Sequence, residues 1–210
     1  MSFLEQLDEL FKLHYVAKQW DHGIRERNQG SGWRAFAPSK FVYAYFVFNS
    51  LYSIDWESSV RNETLTDLNR GDSEEFDKIQ AMANFVGINR FNLSLPEYIK
   101  GHLDMSVEEA TEELRNAEIA NHFKATFNKV MGGQDVSNSV ESMLRFVYRV
   151  RNNVFHGTKR ILHMEENGQS NRLKIYAAIL LAVNELLFDA VAERFPQWNK
   201  SRVLHDQELH

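Results

Sequence analysis

Apolar residues recur at steps of three and four along most of this chain, the period of an amphipathic helix. Phe3, Leu7, Leu10, Phe11 and Tyr15 set the pattern over residues 2–20. Ser2 stands ahead of them with Glu5 three residues later, a reciprocal capping pair that predicts a helix start. Residues 21–39 hold Gly23, Gly30, Gly32 and Pro38 and predict a connecting loop, with Pro38 suited to the first turn of the next helix. The stretch 38–56 is apolar nearly all round, through Phe41, Val42, Tyr43, Ala44, Tyr45, Phe46, Val47 and Phe48. That pattern predicts a central helix. A strand over 41–48 is the alternative, but Leu51, Tyr52, Ile54 and Trp56 carry the pattern past an ordinary strand length.

Residues 61–73 are polar, with a turn at Asn69-Arg70-Gly71-Asp72. Ser73 to Val86 predicts a short helix stopped by Gly87, and 88–105, with Pro96 and Gly101, predicts irregular chain. Ser106 and Glu109 repeat the capping pair and open one or two helices reaching Met131, where Gly132-Gly133 breaks the chain. Ser137 to Phe155 predicts a helix with Gly157 at its stop. A polar loop over 158–169 then leads to a last helix, 169–195, with a seam of Leu173, Tyr176, Leu180, Val183, Leu187 and Ala190. The expected fold is an all-α helical bundle in one domain, 1–196, followed by a polar C-terminal tail, 197–210, expected to fray.

Composition narrows the function classes. Of 210 residues, 43% are apolar and 25% charged, which supports a folded core rather than a disordered chain. The net charge of −5 excludes a generally basic nucleic-acid coat but leaves room for a local patch. Without cysteine there is no disulfide frame, thiolate metal site or cysteine nucleophile. The start lacks a cationic leader pattern, and the longest apolar run, Phe41 to Phe48, is far short of the ~20 residues of a membrane span. A cytoplasmic location without a membrane partner is the expectation.

Charge is concentrated in one place. Residues 141–160 carry Arg145, Arg149, Arg151, Lys159 and Arg160 against Glu141, a net of +4, leaving −9 on the other 190 residues. Helical projection puts Arg151 on the apolar seam of Val140, Met143, Val147, Val150 and Val154. A guanidinium there has to be paired or has to face a cleft. Arg145, Arg149, Asn152 and His156 form a separate stripe in steps of four, three and four, with Asn152 one turn from His156. The plainer reading is that cations near a helix C-terminus suit the macrodipole and that a His before Gly157 only ends the helix.

The run Arg151-Asn152-Asn153-Val154-Phe155-His156 resembles the Arg-polar-x-x-x-His signature of HEPN domains. The resemblance covers about 137–195, the signature helix and the last helix, and it is supported by the Asn after Arg151 and the Gly after His156. It implies a four-helix core with additional N-terminal and middle helices. It further implies a metal-independent endoribonuclease, in some members a toxin or defence effector, working as a homodimer with two signatures facing each other. In that chemistry a 2′-OH attacks the adjacent phosphate. His156 would move a proton, Arg151 would hold the phosphate by two parallel hydrogen bonds, and Asn152 would orient His156 or touch phosphate. Arg145, Arg149, Lys159 and Arg160 would bind RNA. No metal or cofactor is implied; an antitoxin or regulatory protein is an implied partner. On an ideal helix Arg151 and His156 project about 140° apart, so they converge only through a helix end or between two chains. Members paired with a nucleotidyltransferase antitoxin carry Tyr two residues after the His, and here Thr158 stands there.

His163 with Glu165 and Glu166, and His102-x-Asp104, have poor spacing for a metal. His14, inside the first helix, reads as a packed or surface histidine, and His122, ahead of Phe123 and Phe127, as a helix-face residue. Phosphate-loop, dinucleotide and nucleophile-elbow motifs are absent. The alternatives to the nuclease are a catalytically inactive RNA- or nucleotide-binding HEPN module and a helical dimerisation or scaffold protein.

Overall fold

The most deeply buried helix of the chain sits at the middle of the bundle. The computed structural model describes residues 1–27, 36–68, 75–115, 121–134, 136–155 and 167–203. In order they form α1 (Phe3–Arg27), α2 (Phe36–Leu51), α3 (Trp56–Asn62), α4 (Glu75–Val86), α5 (Ile88–His102), α6 (Val107–Arg115), α7 (Asn121–Met131), α8 (Val136–Phe155) and α9 (Asn167–Arg194). One helical turn, 200–203, follows. Among the described residues there is no strand, only an isolated antiparallel bridge between Ile54 and Asp67. The all-α expectation holds at this level.

The central helix is α9. Ile175, Ala177 to Val183, Leu186, Leu187, Phe188 and Val191 are all fully buried. The predicted seam is buried, and so is the opposite side, where Ala178 and Ala182 lie. Helices α1 to α6 all pack on α9. By length and composition α9 could cross a membrane, a longer apolar stretch than Phe41–Phe48, and here it is the buried core helix. The central role expected of 38–56 is therefore corrected, since α2 leaves Tyr43 and Phe46 exposed.

Capping fixes several ends. Ser2 and Glu5 exchange hydrogen bonds of 2.6 and 3.3 Å, and Ser106 and Glu109 exchange bonds of 2.8 and 3.1 Å. The Ser2 amide and hydroxyl hold the Glu5 carboxyl below its ordinary pKa. Gly133 takes a φ of 68° after α7, the left-handed turn that its lack of a Cβ permits.

Three expectations are corrected. The helix foreseen over 38–56 stops at Leu51, because Ile54 bridges to Asp67 and Asp55 starts α3. Asp55 accepts from the Ser58 amide at 3.0 Å, and the Trp56 indole donates to the Leu51 carbonyl at 2.9 Å. Residues 88–102 form helix α5 despite Pro96. An interior proline costs about 3 kcal/mol; here it lies on the buried face with Phe91, Leu95 and Ile99, whose burial offsets that cost. Finally, 197–203 does not fray. Trp198 and Val203 are each 2% exposed, and the Trp198 indole donates to Asp8 at 2.8 Å.

Phe188 meets Phe11 edge-on at 5.1 Å and Trp198 at 5.8 Å. Phe188→Ala should lower unfolding free energy by about 3–5 kcal/mol in urea titration. Ser106→Ala should cost about 1 kcal/mol through loss of the cap. Leu93→Ala, at an 81% exposed position, should change stability by under about 0.5 kcal/mol.

Candidate functional site

Helix α8 presents two different arginine environments. Its inner side is Val140, Met143, Leu144 and Val147, all buried, so the helix is pinned by its apolar seam. Arg145 and Arg149 are exposed on the outer side. Arg151 lies about 160° around the helix from Arg149, and it is half-buried. Its guanidinium carbon sits 5.4 Å from the centre of the Tyr45 ring, on α2, and 5.8 Å from that of Tyr148, three residues back. The seam position foreseen for Arg151 thus brings the cation against two aromatic faces, an arrangement electrostatics favours.

Tyr45 is 1% exposed and is itself braced by Phe41 and Phe48, with ring centres at 6.3 and 6.2 Å. One wall of the Arg151 site is therefore rigid core. Beside it, Tyr176 of α9 packs between Phe41, Phe123 and Phe146. Burial pushes the Tyr176 phenol up to about 12, against a smaller opposing effect of the Arg172 charge. Tyr176 therefore stays protonated near neutral pH and supplies no base there.

The backbone of Asn152 belongs to α8, while its side chain lies outside the described residues. His156, Lys159 and Arg160 also lie outside them, as do His163, Glu165 and Glu166. Of the candidate site, the structure places Arg145 and Arg149 together on one face and Arg151 on another. The two tyrosines were not singled out in the sequence. Tyr148 stood in the charged segment, but nothing in the pattern linked Tyr45 to it.

A second polar cluster was also missed. His102 Nε2 lies 2.6 Å from Glu185, not on Asp104, and Lys18 lies 3.2 Å from the same carboxylate. Burial raises the Glu185 pKa, but the His102 hydrogen bond and the charges of His102 and Lys18 outweigh it and bring the group down to about 2. Asp189, one turn on, accepts from Tyr98 and Lys200. The Lys200 ammonium is pushed below its ordinary value by burial, with Glu185 opposing. Among the described residues no group of three or more His, Asp or Glu could hold a metal. The signal available in the sequence was Asn184, Glu185 and Asp189 in an otherwise apolar helix.

Comparison with protein-family models, with curated proteins and with solved structures finds no match to this chain.

The contact between Arg151 and its rings is open to a double-mutant cycle. Tyr148→Leu and Arg151→Met, singly and together, should show a coupling of about 0.5–2 kcal/mol in unfolding free energy. A coupling of zero would mean that the Tyr148 ring does not hold the guanidinium.

Proposed function

We propose that this chain is a metal-independent endoribonuclease of the HEPN type, a toxin or defence effector whose Arg151-Asn152-x-x-x-His156 site is completed by a second copy of the chain. The observation that supports the reading is the placement of Arg151. A guanidinium held between a core tyrosine and a neighbour on its own helix is fixed in position before any ligand arrives. A prepositioned planar fork suits the two non-bridging oxygens of a phosphodiester. Arg145 and Arg149 on the exposed side of the helix supply charge for the flanking RNA backbone, joined by Lys159 and Arg160 beyond the helix.

The chemistry follows from RNA itself. The 2′-oxygen forms a bond to phosphorus as the bond to the 5′-oxygen breaks, leaving a 2′,3′-cyclic phosphate and a 5′-hydroxyl. His156 takes or gives a proton, Arg151 stabilises charge on the phosphorane oxygens, and Asn152 orients the imidazole. Because Arg151 and His156 project about 140° apart on a straight helix, one site draws on both copies of a two-fold homodimer. An interface of about 1,200 Å² or more is expected for it. A cytoplasmic setting with an antitoxin or regulatory partner completes the proposal.

The ring contacts also suit a second reading. An arginine packed this firmly can anchor bound RNA or nucleotide without catalysis, as an inactive HEPN module would.

Purified protein should cleave a mixed RNA substrate with chelator present. His156→Ala should slow it by about 10²–10⁴-fold. Arg151→Ala should be similarly damaging, with incomplete rescue by Arg151→Lys, which lacks the planar fork. Cleavage that survives both alanine changes, or that requires a divalent metal, would reject the mechanism. Binding without cleavage, with a salt dependence reduced in Arg145→Ala and Arg149→Ala, would select the binding module.

A further inference from the structure

His14 of α1 is 2% exposed, and neither of its ring nitrogens makes a hydrogen bond. Its ring lies against two aromatic rings, Phe188 at 5.5 Å and Phe11 at 6.1 Å. A neutral imidazole packs there as a flat apolar body. An imidazolium would carry two N–H donors into a place that offers them no acceptor.

The charges facing His14 do not rescue a proton on it. They are Glu185 from α9, His102 from α5, Lys18 from its own helix and Lys200 from the C-terminal turn. Glu185 is the anion among them, and it is already held by Lys18 at 3.2 Å and His102 at 2.6 Å. Burial, only partly opposed by Glu185, pulls His14 down to about 3.

His14 also stands where α1 is fastened to the end of α9 and to the segment 195–203. Phe3 packs on Phe195 at 5.1 Å, Phe11 on Phe188 at 5.1 Å and on Trp198 at 5.5 Å. Asp8 accepts from the Trp198 indole at 2.8 Å and pairs with Arg202 at 3.3 Å. These contacts and the Lys18–Glu185 pair fasten α1 to α9 and to the C-terminal turn.

We propose that His14 is an acid-triggered latch: the neutral ring lets α1 dock on α9 and the C-terminal turn, and a proton on it drives α1 off while the rest of the bundle stays folded. The direction follows from linkage. A free imidazole titrates at about 6.5, above its docked value, so the undocked helix binds the extra proton. Docking is at full strength above pH ~6.5 and weakens by about tenfold per pH unit below it.

Hydrogen exchange of the full-length chain between pH 6.5 and 5, corrected for intrinsic rates, reads this directly. The opening constant of peptides within 3–20 should rise about tenfold between pH 6 and 5, while peptides within 173–191 keep their protection. In His14→Leu the 3–20 opening constant should be nearly flat across that window, whatever its absolute value. In Glu185→Gln, which removes the carboxylate that Lys18 of α1 pairs with, α1 should open more at every pH in the window while keeping the same rise from pH 6 to 5. A wild-type opening constant that does not change with pH, the same slope in His14→Leu, or loss of 3–20 only together with 173–191 would each overturn the latch.

Discussion

Everything in this bundle depends on α9 having no free side. A helix with fully buried residues on every face must be covered on every face, and the described helices arrange themselves to do this. That requirement explains why α1, far away in sequence, and Trp198, just ahead of the turn at 200–203, close over the same stretch of α9 around Phe188. It also explains how the end of α9 is held. Arg194 donates to the Phe85 carbonyl, pairs with Glu57 and lies 4.1 Å over the Phe85 ring.

Polar residues on such a helix carry a consequence. Asn184 has no exposed surface and reaches the Ala44 carbonyl of α2 at 3.4 Å. Glu185 and Asp189 draw Lys18, His102, Tyr98 and Lys200 from three other segments. Buried charge is costly unless paired, so each of these groups specifies which neighbour can sit beside it. Apolar contact alone would tolerate a slipped register, and these pairs do not. His14 is the exception in this neighbourhood, buried among paired groups without a hydrogen bond of its own.

Arg151 follows a similar logic at the other polar position. The α8 seam carries it inward, where it lies over the Tyr45 and Tyr148 rings. An aromatic face stabilises the cation without neutralising it. This property links the packing of α8 to the proposed function.

The all-α class, the two Ser–Glu caps, the break at Gly132-Gly133 and the position of Arg151 on the seam were legible in the sequence, because each depends on residues within about two helical turns. Local pattern was insufficient elsewhere. Pro96 read as a breaker because its cost is local, whereas the burial of Phe91, Leu95 and Ile99 that offsets it is tertiary. Trp56 read as a continuation of α2 because its indole bond to Leu51 closes the helix only after the chain has turned. The α9 seam was visible, but its burial on the opposite face depends on which helices return to it. Phe188 against His14, Lys18 and His102 on Glu185, and Tyr45 under Arg151 each come from another helix. The sequence determined which residues could form helices and which cations stood on their apolar sides. Only the tertiary structure decided what those groups met, because the cost of burying a charge is set by neighbours brought in from elsewhere in the chain.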